Sequence, residues 1–289
     1  MRQRDWETEK AIHILELVRS ELYMDMPHFL TALNTLMFKE DEHVSVCATN
    51  GVYFYYNPLK VIELFQKNSI FLNRAYLHSI LHCLYSHIWL RKNRIEFIWN
   101  VACDIVVEYT LDSMHKKSVS RILSYARKDV YHQIEKLDGL SCITVYEWLC
   151  TRDDIQNLYY EFVVDDHASW PKEKDEKTPQ SSSVQKKWQS VAKQTVFDHK
   201  QKGKENDDGD AFLVSRLQAK KSKYSFSQFL NSIASGCNQQ KNMLPWIYVI
   251  DVKLYRHVNA YETGESRTRY RGCICPAFFW LHAQLPKSP

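Results

Sequence analysis

Glycine is scarce in this sequence of 289 residues, which contains only 7 of them. Neither a GxGxxG pattern nor a GxxxxGKS or GxxxxGKT pattern occurs, which argues against a glycine-rich loop that cradles phosphates. No stretch approaches the roughly 18 consecutive apolar residues of a membrane-spanning helix. The first residues, MRQRDWETEK, mix charges without an apolar segment, so we expect no secretory signal.

A CxxC pair is also missing, although the chain has 8 cysteines. Cys273 and Cys275 form one CxC, a weak metal signal without a second pair. Scattered cysteines in apolar segments are typical of reduced, buried thiols, so we expect a cytoplasmic protein. The 38 basic residues exceed the 34 acidic ones by only four, which is too little to indicate nucleic acid binding. We expect no nucleic acid or membrane partner. A peptide or protein substrate or partner stays open, and the sequence does not give the oligomeric state.

The apolar periodicity predicts a mostly helical α+β fold. Two β-rich runs, Val44–Ala48 and Val52–Tyr56, flank Thr49-Asn50-Gly51, and Asn-Gly between such runs is the strongest short-range hairpin signal. We expect this small hairpin sheet to pack on two longer helices that carry the candidate site. The predicted helices cover residues 6–23, 28–38, 58–65, 73–91, 95–112, 119–136 and 143–151.

The composition changes beyond Val164. Residues 171–204 contain nine lysines against four acidic residues, together with a serine run, which is typical of a solvated segment. Within it, Trp188, Val191 and Val196 allow one short helix. We therefore predict a domain at 1–165, a polar low-complexity linker or insertion at 166–210, and a helical, then irregular, C-terminal region at 211–289.

His78 and His82 form the candidate metal pair. At a spacing of i, i+4 on a helix, the two side chains lie about 40° apart on one face, where both can bind one Zn²⁺. Asp104 follows His82 by 22 residues, enough for a turn and an antiparallel helix that returns a carboxylate to the pair. Two histidines and one carboxylate form a catalytic type of zinc shell with an open fourth position. Histidine pairs on helices are nevertheless more often core or surface residues than ligands.

Several alternatives stay open around this pair. Glu108 lies one turn after Asp104 and is expected to face more outward, so it is the fallback ligand. His87 falls on roughly the opposite side of a regular helix and is expected to be a poor ligand. Asp104 could instead pair with one of the nearby basic residues, which are Arg91, Lys92 and Arg94. The acidic pair and histidine at 165–167 could add groups around the metal, or could belong to a polar loop.

Four ordered motifs resemble those of one known family. They are Ala48-Thr49-Asn50-Gly51, Tyr55-Tyr56-Asn57-Pro58, His78-Ser79-Ile80-Leu81-His82 with His87, and Trp99-Asn100-Val101-Ala102-Cys103-Asp104. On these motifs the chain resembles the Putative metallopeptidase domain family, whose members carry T-D-G, Y-Y-N-P, HExxH and W-N-x-A-x-D motifs and commonly precede a von Willebrand A-like domain. Residues 165–170 and 224–234 resemble downstream parts of the family more loosely. The resemblance implies a zincin-like fold, zinc on His78 and His82, Asp104 as a third ligand, and peptidase chemistry.

The chain departs from the family pattern where a peptidase needs its general base. Ser79 replaces the Glu of HExxH, and a serine hydroxyl cannot take a proton from a zinc-bound water at neutral pH. Since such a base contributes about 10²–10⁴-fold, we predict a zinc-binding but catalytically impaired domain, and we expect Ser79→Glu to raise hydrolysis. The alternatives are an active peptidase that uses Glu108 or Asp104 as base, and a metal-free interaction module.

Overall fold

The computed structural model describes residues 3–171 and 178–202, which form a mostly helical α+β structure with one three-stranded sheet. None of the helices in these two ranges is long and apolar enough to cross a membrane. The helices are α1 (Gln3–Asp25), α2 (Leu30–Leu33), α3 (Pro58–Lys67), α4 (Ser69–Leu84), α5 (Glu96–Ser113), α6 (Tyr125–Ile134), α7 (Cys142–Leu149), α8 (Ile155–Phe162) and α9 (Pro179–Lys202).

The predicted hairpin is present and forms two strands of the sheet. Strands β2 (Cys47–Thr49) and β3 (Tyr53–Tyr56) are antiparallel, with Thr49 paired to Phe54. The Asn50 side chain stabilises the turn, because its Oδ1 accepts hydrogen bonds from the backbone N–H groups of Val52 and Tyr53, both at 2.9 Å. Gly51 has a φ of +86°, a conformation that glycine adopts without strain.

The third strand was missed by the sequence analysis. Strand β1 (Met37–Glu40) pairs in parallel with β3, whereas we predicted a helix over 28–38 followed by a polar break. The observed helix α2 covers only four residues of that range. β1 lies at the edge of the sheet and carries Lys39 and Glu40. An edge strand of four residues with charged side chains lacks the alternating apolar pattern on which strand prediction depends.

Helices α4 and α5 lie at the centre of the structure. Every residue from 72 to 89 and from 101 to 108 is buried, so neither helix has a solvent-facing side over these stretches. The sheet packs on α4 through the rings of Phe54 and Tyr76, whose centroids lie 4.9 Å apart. Because water cannot reach these two segments, each polar or charged side chain on them needs a partner inside the protein.

Helix α9 occupies part of the segment for which we expected a linker or insertion. It packs against α2 and α4 and buries Trp188, Val191 and Thr195. The indole Nε1 of Trp188 donates a hydrogen bond of 2.7 Å to the carbonyl oxygen of Gly51. These few buried residues recur at helical spacing among lysines, glutamines and serines, so the average composition concealed a packed helix.

Two predicted helices are shorter than expected. The helix predicted at 73–91 ends at Leu84, since Ser86 takes a left-handed backbone conformation with φ 58°. The helix predicted at 119–136 covers only Tyr125–Ile134. The whole of the predicted C-terminal region at 211–289 lies outside the described residues, and with it the helix expected at 211–235, the strand expected at 244–255 and the CxC of Cys273 and Cys275.

Candidate metal centre

Five buried side chains bring nitrogen and oxygen atoms together at the centre of the fold. Their ligand atoms all lie within 4.8 Å of one another, a grouping that could hold a metal ion. Helix α4 supplies His78 and His82, helix α5 supplies Asp104, and the segment after α8 supplies Asp165 and His167. The predicted His–His–Asp arrangement is therefore brought together by two neighbouring helices, and two further side chains complete the group, which we call the His/Asp cluster.

The distances within the His/Asp cluster suit a metal ion. Asp104 Oδ1 lies 3.4 Å from His78 Nε2, 3.3 Å from His82 Nε2 and 3.2 Å from His167 Nε2. Zinc bonds of about 2.0–2.2 Å place neighbouring ligand atoms about 3–4 Å apart. Asp104 Oδ1 is buried and makes no hydrogen bond within the described residues, although it faces three imidazole nitrogens. A carboxylate oxygen in that position matches a metal ligand.

The two histidines of α4 present their ring nitrogens to each other. His78 Nε2 and His82 Nε2 lie 2.8 Å apart. His78 donates its Nδ1–H to Glu108 Oε1 at 2.8 Å, which leaves a lone pair on Nε2 of the neutral ring. A carboxylate that receives the second N–H of a histidine is the usual orienting partner of a metal-bound imidazole. The donor set and its orientation therefore fit a divalent cation such as Zn²⁺.

Glu108 does not face outward as the sequence analysis expected. Its side chain is fully buried, because α5 has no exposed side at this point. Its Oε2 accepts hydrogen bonds from Arg74 at 2.8 Å, Arg121 at 2.6 Å and Arg127 at 3.0 Å. Burial alone would raise its pKa, yet Arg74, His78 and Arg121 hold the pKa of Glu108 well below its usual range. Glu108 is thus an ionised residue that orients His78 and lies behind the cluster.

The expectation that His87 points away from the pair is wrong. α4 ends at Leu84, so the turn through Ser86 carries His87 back toward His82. The two Nδ1 atoms lie 3.1 Å apart, and the ring centroids are separated by 5.2 Å. His87 also lies in a second buried group with Cys103 and Cys142. Its position lets it orient His82 much as Glu108 orients His78.

Ser79 makes a direct contact with the His/Asp cluster. Its hydroxyl donates a hydrogen bond of 2.8 Å to Asp165 Oδ2, and the side chain is fully buried. The other oxygen, Asp165 Oδ1, lies 3.4 Å from His78 Nε2 and accepts a hydrogen bond of 2.9 Å from His167 Nε2. The position where the family motif has a glutamate is therefore occupied by a hydroxyl that binds another carboxylate.

The His/Asp cluster is shielded from solvent. Its most exposed member, His167, has 8% of its surface accessible. The indole of Trp170 stacks on the His167 ring with centroids 3.9 Å apart and lies 5.0 Å from the His82 ring. Asp104 is not paired with a basic residue of the loop before α5, which was the alternative for its role. Its ion-pair partners within the described part of the chain are the three cluster histidines.

Mutual attraction sets the protonation of the cluster. Burial lowers the pKa of His167, but Asp104 and Asp165 outweigh burial and raise it to about 10. Burial and the neighbouring His78 lower the pKa of His82 to about 3. Burial opposes ionisation of Asp165, yet His167 and His78 hold its pKa well below the ordinary value. The carboxylates are therefore ionised, and a metal ion would take the place of the protons that the histidines carry.

Asp165 and His167 were not among the predicted ligands. Both lie about sixty residues after Asp104 in an irregular segment, where helical spacing gives no information on which way a side chain points. That segment is fixed to the sheet, because the backbone N–H of Asp166 donates to the Cys47 carbonyl at 2.8 Å. The available signal was the run of two acidic residues and a histidine close to Trp170, together with its loose resemblance to the family.

One family matches the chain. A family described as "Putative metallopeptidase domain" matches residues 13–212, which include all five members of the His/Asp cluster and helix α9. No curated protein and no solved structure matches the chain.

Proposed function

The chain belongs to the Putative metallopeptidase domain family, and from that premise we propose that it is a zincin-like domain that binds Zn²⁺ and hydrolyses peptides poorly. His78, His82 and Asp104 are the proposed core ligands. The observation that carries this proposal is Asp104 Oδ1, which is buried without a hydrogen bond to any described residue and faces three imidazole nitrogens. A doubly charged cation would balance the two ionised carboxylates of the cluster.

The surrounding residues support metal binding by fixing the ligands. Glu108 accepts the Nδ1–H of His78 and is itself held by three arginines. This carboxylate–histidine arrangement sets the tautomer in which Nε2 can bind a metal. In an active zinc peptidase the bound metal lowers the pKa of a water molecule and polarises the substrate carbonyl. The residues of this chain that would have to accept the proton of that water molecule are poorly suited to do so.

None of the three residues considered from the sequence is well placed to act as the missing base. Ser79 lacks a carboxylate, and its hydroxyl already donates to Asp165. Glu108 was the first alternative base, but its two oxygens are engaged by His78 and the arginines. Asp104 was the second alternative, and it faces the histidines as a ligand would. Since base assistance contributes about 10²–10⁴-fold, we propose that hydrolysis is severely weakened.

Two alternative hypotheses compete with this proposal. An active peptidase would need an accessible carboxylate beside the metal, and the buried cluster disfavours it. A metal-free interaction module would keep His78 Nε2 and His82 Nε2 together by the hydrogen bond of 2.8 Å between them, and zinc binding by the purified protein separates it from the proposal. We also propose a cytoplasmic location, a reducing compartment in which the described cysteines would stay free thiols.

A hydrolysis assay separates these readings. Zinc-loaded protein is incubated with a peptide library, with and without a chelator, and a His132→Ala variant serves as an exposed-histidine control. We expect no chelator-sensitive cleavage by wild type or by the control. Brisk cleavage that the chelator abolishes would support the active peptidase and contradict the impaired domain. Metal binding itself is tested in parallel by competition with a zinc indicator. We expect His82→Ala to lose zinc binding and His132→Ala to retain it.

A further inference from the structure

A hydrogen bond between Ser79 and Asp165 gives the serine a role in orienting the Asp165 carboxylate. The Ser79 hydroxyl donates to Asp165 Oδ2 at 2.8 Å, and both side chains are buried. With Oδ2 held in this way, the carboxylate turns Oδ1 toward the cluster, where it lies 3.4 Å from His78 Nε2 and 3.8 Å from His82 Nε2. The hydroxyl therefore selects which oxygen of Asp165 faces the histidines.

The backbone on the other side of Asp165 is fixed as well. The N–H of Asp166 donates to the Cys47 carbonyl at 2.8 Å, and Asp166 forms a parallel bridge with Ala48 at the edge of β2. The segment is thus attached to the sheet while the Asp165 side chain is attached to α4. Two independent attachments leave the carboxylate little freedom to move away from the cluster.

The number of donors then decides what kind of metal site this is. Structural zinc sites are closed by protein ligands, whereas catalytic sites keep one position for water or substrate. Three imidazole nitrogens and two carboxylate oxygens lie within 4.8 Å of one another here, and Trp170 covers His167. Four or five protein ligands at such distances leave no position for a water molecule on the metal.

We propose that Ser79 is a positioning residue that holds Asp165 as an additional ligand, so that the metal is closed to water and serves the fold. This inference rests on the proposed zinc binding and goes beyond it. The departure from HExxH then has two effects. It removes the carboxylate that would act as base, and it replaces that carboxylate with a hydroxyl that draws Asp165 into the coordination shell.

Cobalt substitution tests this inference without relying on activity. The visible spectrum of Co²⁺ in an N/O site changes when an anion such as azide enters the coordination shell. We expect the Co²⁺-loaded wild-type protein to show no spectral change with azide. Ser79→Ala frees Asp165 Oδ2, so we expect Co²⁺ affinity to fall about 10- to 100-fold, as for other residues that orient ligands, and the spectrum to become azide-sensitive. Ser79→Thr keeps the hydroxyl and should retain the wild-type behaviour.

The control removes a buried hydroxyl from α9, a helix that supplies no member of the His/Asp cluster. Thr195 is fully buried and donates to the Val191 carbonyl of its own helix, at 3.0 Å, so Thr195→Val should leave Co²⁺ affinity and spectrum unchanged. An azide-sensitive spectrum in the wild-type protein would overturn the closed site. Unchanged affinity and spectrum in Ser79→Ala would overturn the positioning role. A wild-type protein that binds neither Co²⁺ nor Zn²⁺ would overturn the proposed function itself.

Discussion

Replacing Glu108 with glutamine is the sharpest test of the buried network behind the cluster. The change keeps the size of the side chain and removes its charge. In the wild-type protein this carboxylate pairs with Arg74, Arg121 and Arg127 and accepts the Nδ1–H of His78. Arg74 and Arg121 also contact Asp112, and Arg127 contacts Glu161. The variant therefore leaves the arginines with part of their partners. Its amide N–H₂ has to face either an arginine, which can only donate, or His78 Nδ1, which then has to accept and carries its proton on Nε2.

The size of the effect follows from burial. Removing one partner of a buried ion pair costs about 3–5 kcal/mol. For a folded region of about 200 residues, 1 kcal/mol corresponds to about 2–4 °C in Tm, so we expect Tm to fall by about 6–20 °C. Because His78 loses its orienting carboxylate, zinc affinity should also fall about 10- to 100-fold. A direct ligand would instead lose the metal altogether.

Thermal unfolding by circular dichroism and zinc competition measure the two effects separately. Glu63→Gln is a matched control, since Glu63 contacts Lys60 and Lys67 at the surface, where ion pairs contribute little. We expect this control to resemble the wild-type protein in both assays. A Glu108→Gln protein with unchanged Tm and zinc affinity would refute the reasoning from burial. Complete loss of zinc with little change in Tm would make Glu108 a ligand instead.

Three further predictions follow from the cluster. His87→Ala should weaken zinc binding about 10-fold rather than leave it intact, because His87 contacts His82, and a zinc competition assay measures this. In metal-free protein the raised pKa of His167 stabilises the fold fully below pH 6.5, its ordinary value, and this stabilisation is lost as the pH rises through about 10. Tm measured against pH should show this decline with a chelator and not with excess zinc. Ser79→Glu should lower Tm without raising peptide hydrolysis, since the new carboxylate is buried against Asp165. Restored hydrolysis would support the simpler expectation from the HExxH pattern.

The parts of the site on regular helices could be predicted from spacing. His78 and His82 share a helix face, and the 22 residues between His82 and Asp104 return the carboxylate as expected. The same spacing argument gave the wrong direction for the His87 side chain, because the helix ends before it at Leu84. Sequence spacing predicts the direction of a side chain only while the backbone stays helical. The left-handed backbone conformation of Ser86 ends this regularity before His87.

The remaining parts depend on tertiary contacts that a single sequence does not display. Asp165 enters the cluster because its neighbour bonds to β2, a contact across more than one hundred residues. Glu108 was expected to face outward because an isolated helix has a polar side, whereas α5 is surrounded by protein at this point. Helix α9 was predicted only in part. The spacing of Trp188, Val191 and Val196 allowed one short helix, whereas α9 covers Pro179–Lys202 and packs against α2 and α4.

The zinc content of the purified protein shows whether the His/Asp cluster binds a metal. Elemental analysis is carried out on wild-type protein prepared without chelators and on a variant with both His78→Ala and His82→Ala. We expect about one zinc per wild-type chain and almost none in the double variant, at equal purity and with folding checked by circular dichroism. Wild-type protein without zinc, or equal zinc in both preparations, would show that His78 and His82 do not bind zinc.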